Sequence, residues 1–293
     1  MKQELIKMIT SDNIELTGLL YTPISKTNKI VVFVHGLGDD FYKKSFLEFL
    51  AKSFTSNGYA FFSFNNRGSG YITKLIKREN NEIKSIMGGC VFEIFEESQI
   101  DIQTAIEFVK ELGYNEITLQ GHSFGCSKVI YYYDKIKKDD LIKNIILLAP
   151  CDIIKSTQNI LGETIYNFYV EKAKTMILNN QGNNLMSDTI NVKYNVSANT
   201  FNSIYLENCN NDIFRYRDKN YNSQILNNID IPIFIQIGDN DVLALSEHKD
   251  TIIQFFNNNI ENINIEFIKD SDHSFNNKEQ ITSDNYTKWL NNI

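Results

Sequence analysis

The residues best equipped to do chemistry in this chain form the run Gly121-His122-Ser123-Phe124-Gly125, a serine with glycine two positions away on either side. A serine hydroxyl at its free pKa is a weak nucleophile. It needs a base to take its proton and an acid to orient that base. The G-x-S-x-G spacing meets the geometric part of this need when a strand precedes it and a helix follows. The glycines leave room for a sharp turn that lifts the hydroxyl clear of the sheet. The helix N-terminus then offers backbone N–H groups and a positive dipole end to a developing anion. Glu116–Gln120 reads as that strand and Phe124–Lys137 as that helix, so Ser123 is expected to attack a carbonyl from a nucleophile elbow.

On such a turn the partners follow in the order acid, then histidine. Two histidines follow Ser123. His248 falls inside the helical segment Ser246–Phe256, where a solvated or packed side chain is expected. His273 stands in the polar run Lys269-Asp270-Ser271-Asp272-His273-Ser274-Phe275, just after the strand Asn262–Ile268. That puts it at the carboxyl edge of the sheet, where open α/β sheets build their sites, and makes it the expected general base. The acid is sought past another strand end, in Gly238-Asp239-Asn240-Asp241 after Ile231–Ile237. Asp241 is preferred, because the glycine turns the chain and leaves three residues to carry a side chain toward the histidine; Asp239 remains the alternative. Asp272, adjacent to the histidine, is poorly placed to face its ring. An oxyanion hole needs two N–H donors. Phe124, next after the nucleophile, supplies one, and Leu37 in His35-Gly36-Leu37-Gly38 supplies the other; His35 and His122 read as structural.

These loops require a scaffold that brings four strand ends together. Leu5–Thr10 and Ile14–Tyr21, bridged by Ser11-Asp12-Asn13, read as an antiparallel hairpin. Lys29–Val34 and Tyr59–Phe64 are continuous apolar strands around a helix from about Lys43 to Ser56 that Asn57-Gly58 stops. After a looser stretch to Val91, Ile102, Ala105, Ile106 and Val109 keep helical spacing within Glu97–Leu112. The strand Asn144–Ala149 and a last helix near Glu279–Asn292 complete the alternation. Apolar strands separated by helices imply an α/β, mostly parallel, doubly wound sheet with helices on both faces. About 80 residues separate Ala149 from Ile231, too many for a bare loop. Residues 151–230, with a helical piece over Ile160–Leu178, are therefore expected to form an inserted helical cap on a core made of 1–150 and 231–293.

Composition narrows the possibilities. With 293 residues, 42% hydrophobic and 12% aromatic, the chain can bury a large core and is not disordered. A net charge of −7 and a pI near 5.2 argue against a nucleic-acid partner. No apolar run is long enough for a transmembrane helix. The first residues, MKQELIKMITSDN, lack the apolar stretch and cleavage site of a secretory signal. Cys90, Cys126, Cys151 and Cys209 have neither CxxC nor finger spacing and read as reduced, mostly buried thiols rather than a disulfide framework or zinc site. A cytoplasmic location, without membrane association, is the expectation.

Taken together, HGLG after one strand, GHSFG after another, GDND after a third and DHSF after the last resemble the α/β-hydrolase superfamily over nearly the whole chain. The resemblance implies that fold and matches Ser123, Asp241 and His273 to nucleophile, acid and base, and Leu37 and Phe124 to the oxyanion donors. It implies no metal or organic cofactor and a small-molecule ester or lactone substrate, in a monomer or homodimer. Phe64-Asn65-Asn66-Arg67-Gly68, Glu93-Ile94-Phe95-Glu96 and GHSFG-Cys126 resemble siderophore-ester hydrolases and, more broadly, feruloyl-type esterases with a helical cap. A carboxylic ester hydrolase is the expected activity. The same constellation also serves acyl transfer or thioester and amide cleavage, and the fold can serve as a ligand-binding protein. Of the cap aromatics, Tyr169, Phe201 and Tyr205 are the expected substrate contacts. Arg67 reads as a loop clamp, Asp152 as a helix N-cap, and Arg215 and Arg217 as solvated.

Overall fold

Runs such as Lys29-Ile-Val-Val-Phe-Val34, apolar on both sides of the pleat, can only be satisfied by cover on both faces, and they form the middle of one sheet. In the computed structural model, which describes residues 1–79, 82–135, 140–186, 195–218 and 220–293, the elements run β1 (Lys2–Ile9), β2 (Ile14–Thr22), β3 (Lys29–Val34), α1 (Ser45–Ser56), β4 (Ala60–Phe64), β5 (Thr73–Glu79), β6 (Glu82–Gly88), α2 (Ser98–Glu111), β7 (Glu116–His122), α3 (Phe124–Lys135) and β8 (Ile142–Leu148). Then follow α4 (Ile153–Leu161), α5 (Glu163–Leu178), α6 (Ala198–Ile204), α7 (Gln224–Asn227), β9 (Ile233–Gly238), α8 (Lys249–Asn259), β10 (Ile263–Ile268) and α9 (Glu279–Leu290). The end expected for α3 at Lys137 lies outside the described residues.

The sheet order is β10-β9-β8-β7-β3-β4-β2-β5-β6, with β1 paired to β2. Strands β4, β3, β7, β8, β9 and β10 are mutually parallel, and the β1–β2 hairpin is antiparallel. The chain moves outward one way from β3 to β4 and the other way from β7 to β10. Loops leaving β3 and β7 therefore diverge, and the crevice at this switch point is where ligands bind in open α/β sheets. Alternate residues of β3 divide between the faces. Ile30, Val32 and Val34 pack with Ile102, Ile106 and Val129 of α2 and α3, while Val31 and Phe33 meet Phe46 and Phe54 of α1 and Tyr286 of α9.

Two regions differ from the sequence reading. The stretch before Val91 is not loose: β5 and β6 form an antiparallel hairpin from Thr73↔Gly88 to Glu79↔Glu82 that extends the sheet beyond β2. Its residues are exposed or half-exposed almost throughout, so the hairpin carries no apolar run to betray it. In the insertion, helix α5 does not begin at Ile160. Gly162, at φ +77°, breaks the segment into α4 and α5. The insertion shares one apolar cluster with the sheet through Tyr166, Phe201 and Tyr205. It is tied to the segment before α2 by hydrogen bonds from Ser197 N and Thr200 Oγ1 to Val91 O and from Phe95 N to Ser203 Oγ. Arg217, expected from sequence to be solvated, is not. Its guanidinium is almost buried between Asp152 and Asp212, each at 2.6 Å, and Asp152 also caps α4 by accepting from Lys155 N. Arg67 is the expected clamp, held by Asp101, Asp12 and Glu97. Among the described residues no helix is long and apolar enough to cross a membrane.

Candidate active site

The turn between β7 and α3 is as tight as its glycines suggest. A Cβ on Gly125 would lie 2.2 Å from the Val34 carbonyl oxygen of β3, and one on Gly121 would lie 2.5 Å from the Gly125 backbone. Only glycine lets α3 start this close to the sheet. Ser123 itself takes φ +56°, a strained conformation for a side-chain-bearing residue, which turns its hydroxyl out of the crevice floor. Its backbone is fixed by Ser123 N donating to Leu148 O at 2.8 Å.

The loops after β10 and β9 meet this hydroxyl. His273 Nε2 lies 2.8 Å from Ser123 Oγ, and His273 Nδ1 lies 2.7 Å from Asp241 Oδ2. Asp241 is completely buried, and its other oxygen accepts from the amides of Leu243 and Ala244, each at 3.0 Å. The carboxylate is thereby committed to receive Nδ1–H. That fixes the tautomer in which Nε2 offers a lone pair to the serine hydroxyl. Asp239 stands exposed and takes only a 3.4 Å hydrogen bond from Ser271 N, while Asp272 accepts from Ser274 and Asn276. Of the two candidate acids, Asp241 is the one brought to the imidazole. His248 is exposed beside Glu247.

A cavity of about 430 Å³ opens above Ser123. Gly36, Leu37, His122, Phe124 and His273 line its floor, and Cys151, Ile153, Ser156, Thr157, Ile160, Tyr205 and Leu243 form its walls. Among the described residues, neither the Leu37 nor the Phe124 amide has a hydrogen-bond acceptor. Tyr205 stands on the cavity as expected. Tyr169 and Phe201 do not: their rings pack against each other at a tilt, and Phe201 also packs against Tyr166 and Tyr205 among the aromatics of residues 151–230. The sequence reading missed Ile153, Ile160, Cys151 and Leu243. The first two sit seven positions apart on α4, a spacing that marks one helix face. Burial and the nearby Asp241 charge push the Cys151 thiol well above its ordinary pKa, and its S–H donates to Ala149 O at 3.1 Å, so it stays a neutral wall group.

Two buried histidines brace the floor. His122 Nε2–H donates to the His273 carbonyl at 2.9 Å; burial, then the adjacent His273 ring, holds its pKa well below the ordinary value. His35 Nδ1–H donates to Gly36 O at 2.8 Å, while its Nε2 accepts from Asn66 N at 3.1 Å, so the ring staples the Leu37 loop to the loop after β4. Burial, followed by the charge of Lys128, lowers His35 from 6.5 to about 3. Because the folded protein binds this proton more weakly than the unfolded chain, the stabilisation is complete above pH 6.5 and drains away as pH falls toward 3. His35→Gln is expected to be less stable than the parent by about 1–3 kcal/mol at neutral pH, for the lost staple. That gap should narrow below pH 6.5 in urea titrations; a gap independent of pH would contradict a neutral, buried His35.

Esterases are among the solved structures whose fold resembles this one. A structure of Est1E from Butyrivibrio proteoclasticus with bound ferulic acid is 15% identical, covers 97% of each chain and superposes with a TM-score of 0.68. A thermostable carboxyl esterase from Bacillus coagulans, in complex with glycerol, is 12% identical over 100% of this chain and 99% of its own, with a TM-score of 0.70. An esterase of Pyrococcus furiosus is 16% identical over 99% of this chain and 88% of its own, with a TM-score of 0.60. No curated protein matches the sequence. The chain thus has the α/β-hydrolase fold and belongs to the DUF1749 family, proteins of unknown function whose model spans residues 8–291.

Proposed function

We propose that this protein is a serine hydrolase of carboxylic esters, lactones included, that carry an apolar group. The observation that supports this most is the continuous hydrogen-bonded chain Asp241–His273–Ser123 ending at the floor of a cavity. Ser123 Oγ attacks the carbonyl carbon while His273 Nε2 takes its proton, and Asp241 stabilises the imidazolium so formed. The carbonyl oxygen, now anionic, is received by the Leu37 and Phe124 amides. His273 passes the proton to the leaving alcohol, and water attacks the acyl-enzyme by the same route in reverse roles. The esterase neighbours are consistent with this chemistry.

Residues 151–230 act as the cap. Helix α4 and Tyr205 wall the cavity from above, with Ile153, Ile160 and Leu243 offering apolar surface to one arm of the ester; Tyr205, rather than Tyr169 or Phe201, is the aromatic contact. Excluding water there strengthens the electrostatic stabilisation below. The test is a panel of p-nitrophenyl esters from acetyl to dodecanoyl, with released acid and alcohol both quantified. Turnover is expected with equal amounts of acid and alcohol. In Leu243→Trp, which fills the apolar wall, kcat/KM for the longest chains should fall by about tenfold or more relative to acetyl. A folded protein that turns over no ester on the panel would overturn the reading.

A further inference from the structure

One charged pair inside the molecule plays no part in the chemistry above. Lys128 and Glu93 are both completely buried, with Nζ 2.5 Å from Oε1. A fully buried lysine is rare, and an isolated buried ion pair is often less stabilising than apolar side chains of the same volume. Among the described residues no other polar group hydrogen-bonds either end. The pair is also closely fitted: a Cβ on Gly68 would lie 2.1 Å from the Glu93 carboxyl carbon, so the loop after β4 lies directly on the carboxylate.

The lysine end of the pair lies against Phe124. Lys128 follows Phe124 by one helical turn on α3, the spacing that places two side chains on one face, and helical side chains lean back toward the N-terminus. Its ammonium sits 4.5 Å from the centroid of the Phe124 ring, and Phe124 is wedged on its other contacts by the ring of Phe95 at 5.6 Å. The Lys128 charge also reaches His35, whose ring staples the Leu37 loop. Both amides assigned to the oxyanion therefore belong to segments that one buried cation touches or acts upon. The glutamate end lies on the far side, against Gly68.

We propose that Lys128, held by Glu93, is the positioning residue of the oxyanion-binding end of the site. It seats Phe124 at the head of α3 and sets a positive charge behind the amides, so that the anionic tetrahedral state gains more than the neutral ester. This rests on the esterase reading of Ser123. A preorganised charge in a dry interior costs no reorganisation when the oxyanion forms, which is a function the pair can serve where stability alone does not explain it.

The test compares the parent with Lys128→Met, Glu93→Gln and the double variant Glu93→Gln/Lys128→Met, which removes both charges together and leaves neither partner buried alone. Turnover of the best p-nitrophenyl ester is measured alongside affinity for an alkyl boronic acid, which forms an anionic tetrahedral adduct with serine, and for the neutral methyl ketone of the same chain. Lys128→Met and the double variant should each lose about 10- to 100-fold in kcat and in boronate affinity, with KM and ketone affinity within about twofold. Glu93→Gln, which leaves Lys128 buried without its counter-charge, should also lose kcat and boronate affinity with KM and ketone affinity held. The inference is overturned if the Lys128 variants keep the parental kcat, or if ketone and boronate affinities fall together. A parent that neither turns over ester nor binds boronate would instead refute the esterase reading, and this inference with it.

Discussion

Ser123→Ala is expected to lose ester turnover by a factor of about 10⁴ or more while leaving the fold and its thermal transition intact. In the proposed mechanism this residue supplies the attacking oxygen. Cys151 is the closest alternative nucleophile by chemistry, but its thiol is buried, held neutral and donating to Ala149 O. The loss should appear in kcat with any residual substrate binding retained, since the cavity walls do not involve the serine hydroxyl. Alanine also suits the site sterically, although φ +56° disfavours any residue with a Cβ, serine and alanine alike. Ester turnover within tenfold of the parent would remove Ser123 from the mechanism.

The second large effect is expected at Asp241. In Asp241→Asn, the retained oxygen can still accept from the Leu243 and Ala244 amides, so the turn after β9 keeps its geometry. The new amide then donates to His273 Nδ1, which must become an acceptor and move its proton to Nε2. An imidazole protonated at Nε2 cannot take the Ser123 proton. A loss of about 10³- to 10⁴-fold in kcat is expected, with KM little changed. Asp239→Asn, on the exposed neighbour, should stay within about twofold. Reversed effects at these two positions would mean that the loop after β9 presents the other carboxylate during turnover.

Much of this was legible because the site depends on short-range geometry. The strands β7, β9 and β10 end at the motifs they present, so a serine, an acid and a histidine could be placed at one sheet edge from the sequence. Spacing favoured Asp241 over Asp239 only through the three residues after the glycine. Burial separates the two more sharply: two residues apart, one side chain is fully enclosed by the turn of Leu243 and Ala244 and the other faces solvent. The β5–β6 hairpin was illegible because Lys74, Lys77, Arg78, Glu82 and Lys84 break up its apolar positions, leaving only the cross-strand pair Leu75 and Ile86 packed on the core. Residues 151–230 misled for the opposite reason. Tyr169 and Phe201 have the size and spacing of pocket residues, but aromatic rings pack first with one another, and the wall fell to smaller side chains of α4 and Leu243. The Lys128–Glu93 pair could not be foreseen either, since 35 positions separate its members and nothing local marks a buried lysine.

The central claim is that Ser123 is activated by His273 in the folded protein. The most direct measurement is intact-mass analysis after exposure to a fluorophosphonate probe, with Ser123→Ala alongside and the labelled peptide mapped. One adduct on the parent, located at Ser123 and absent from the variant, is the predicted result. A folded parent that takes up no probe, or an adduct that persists in Ser123→Ala, would contradict it.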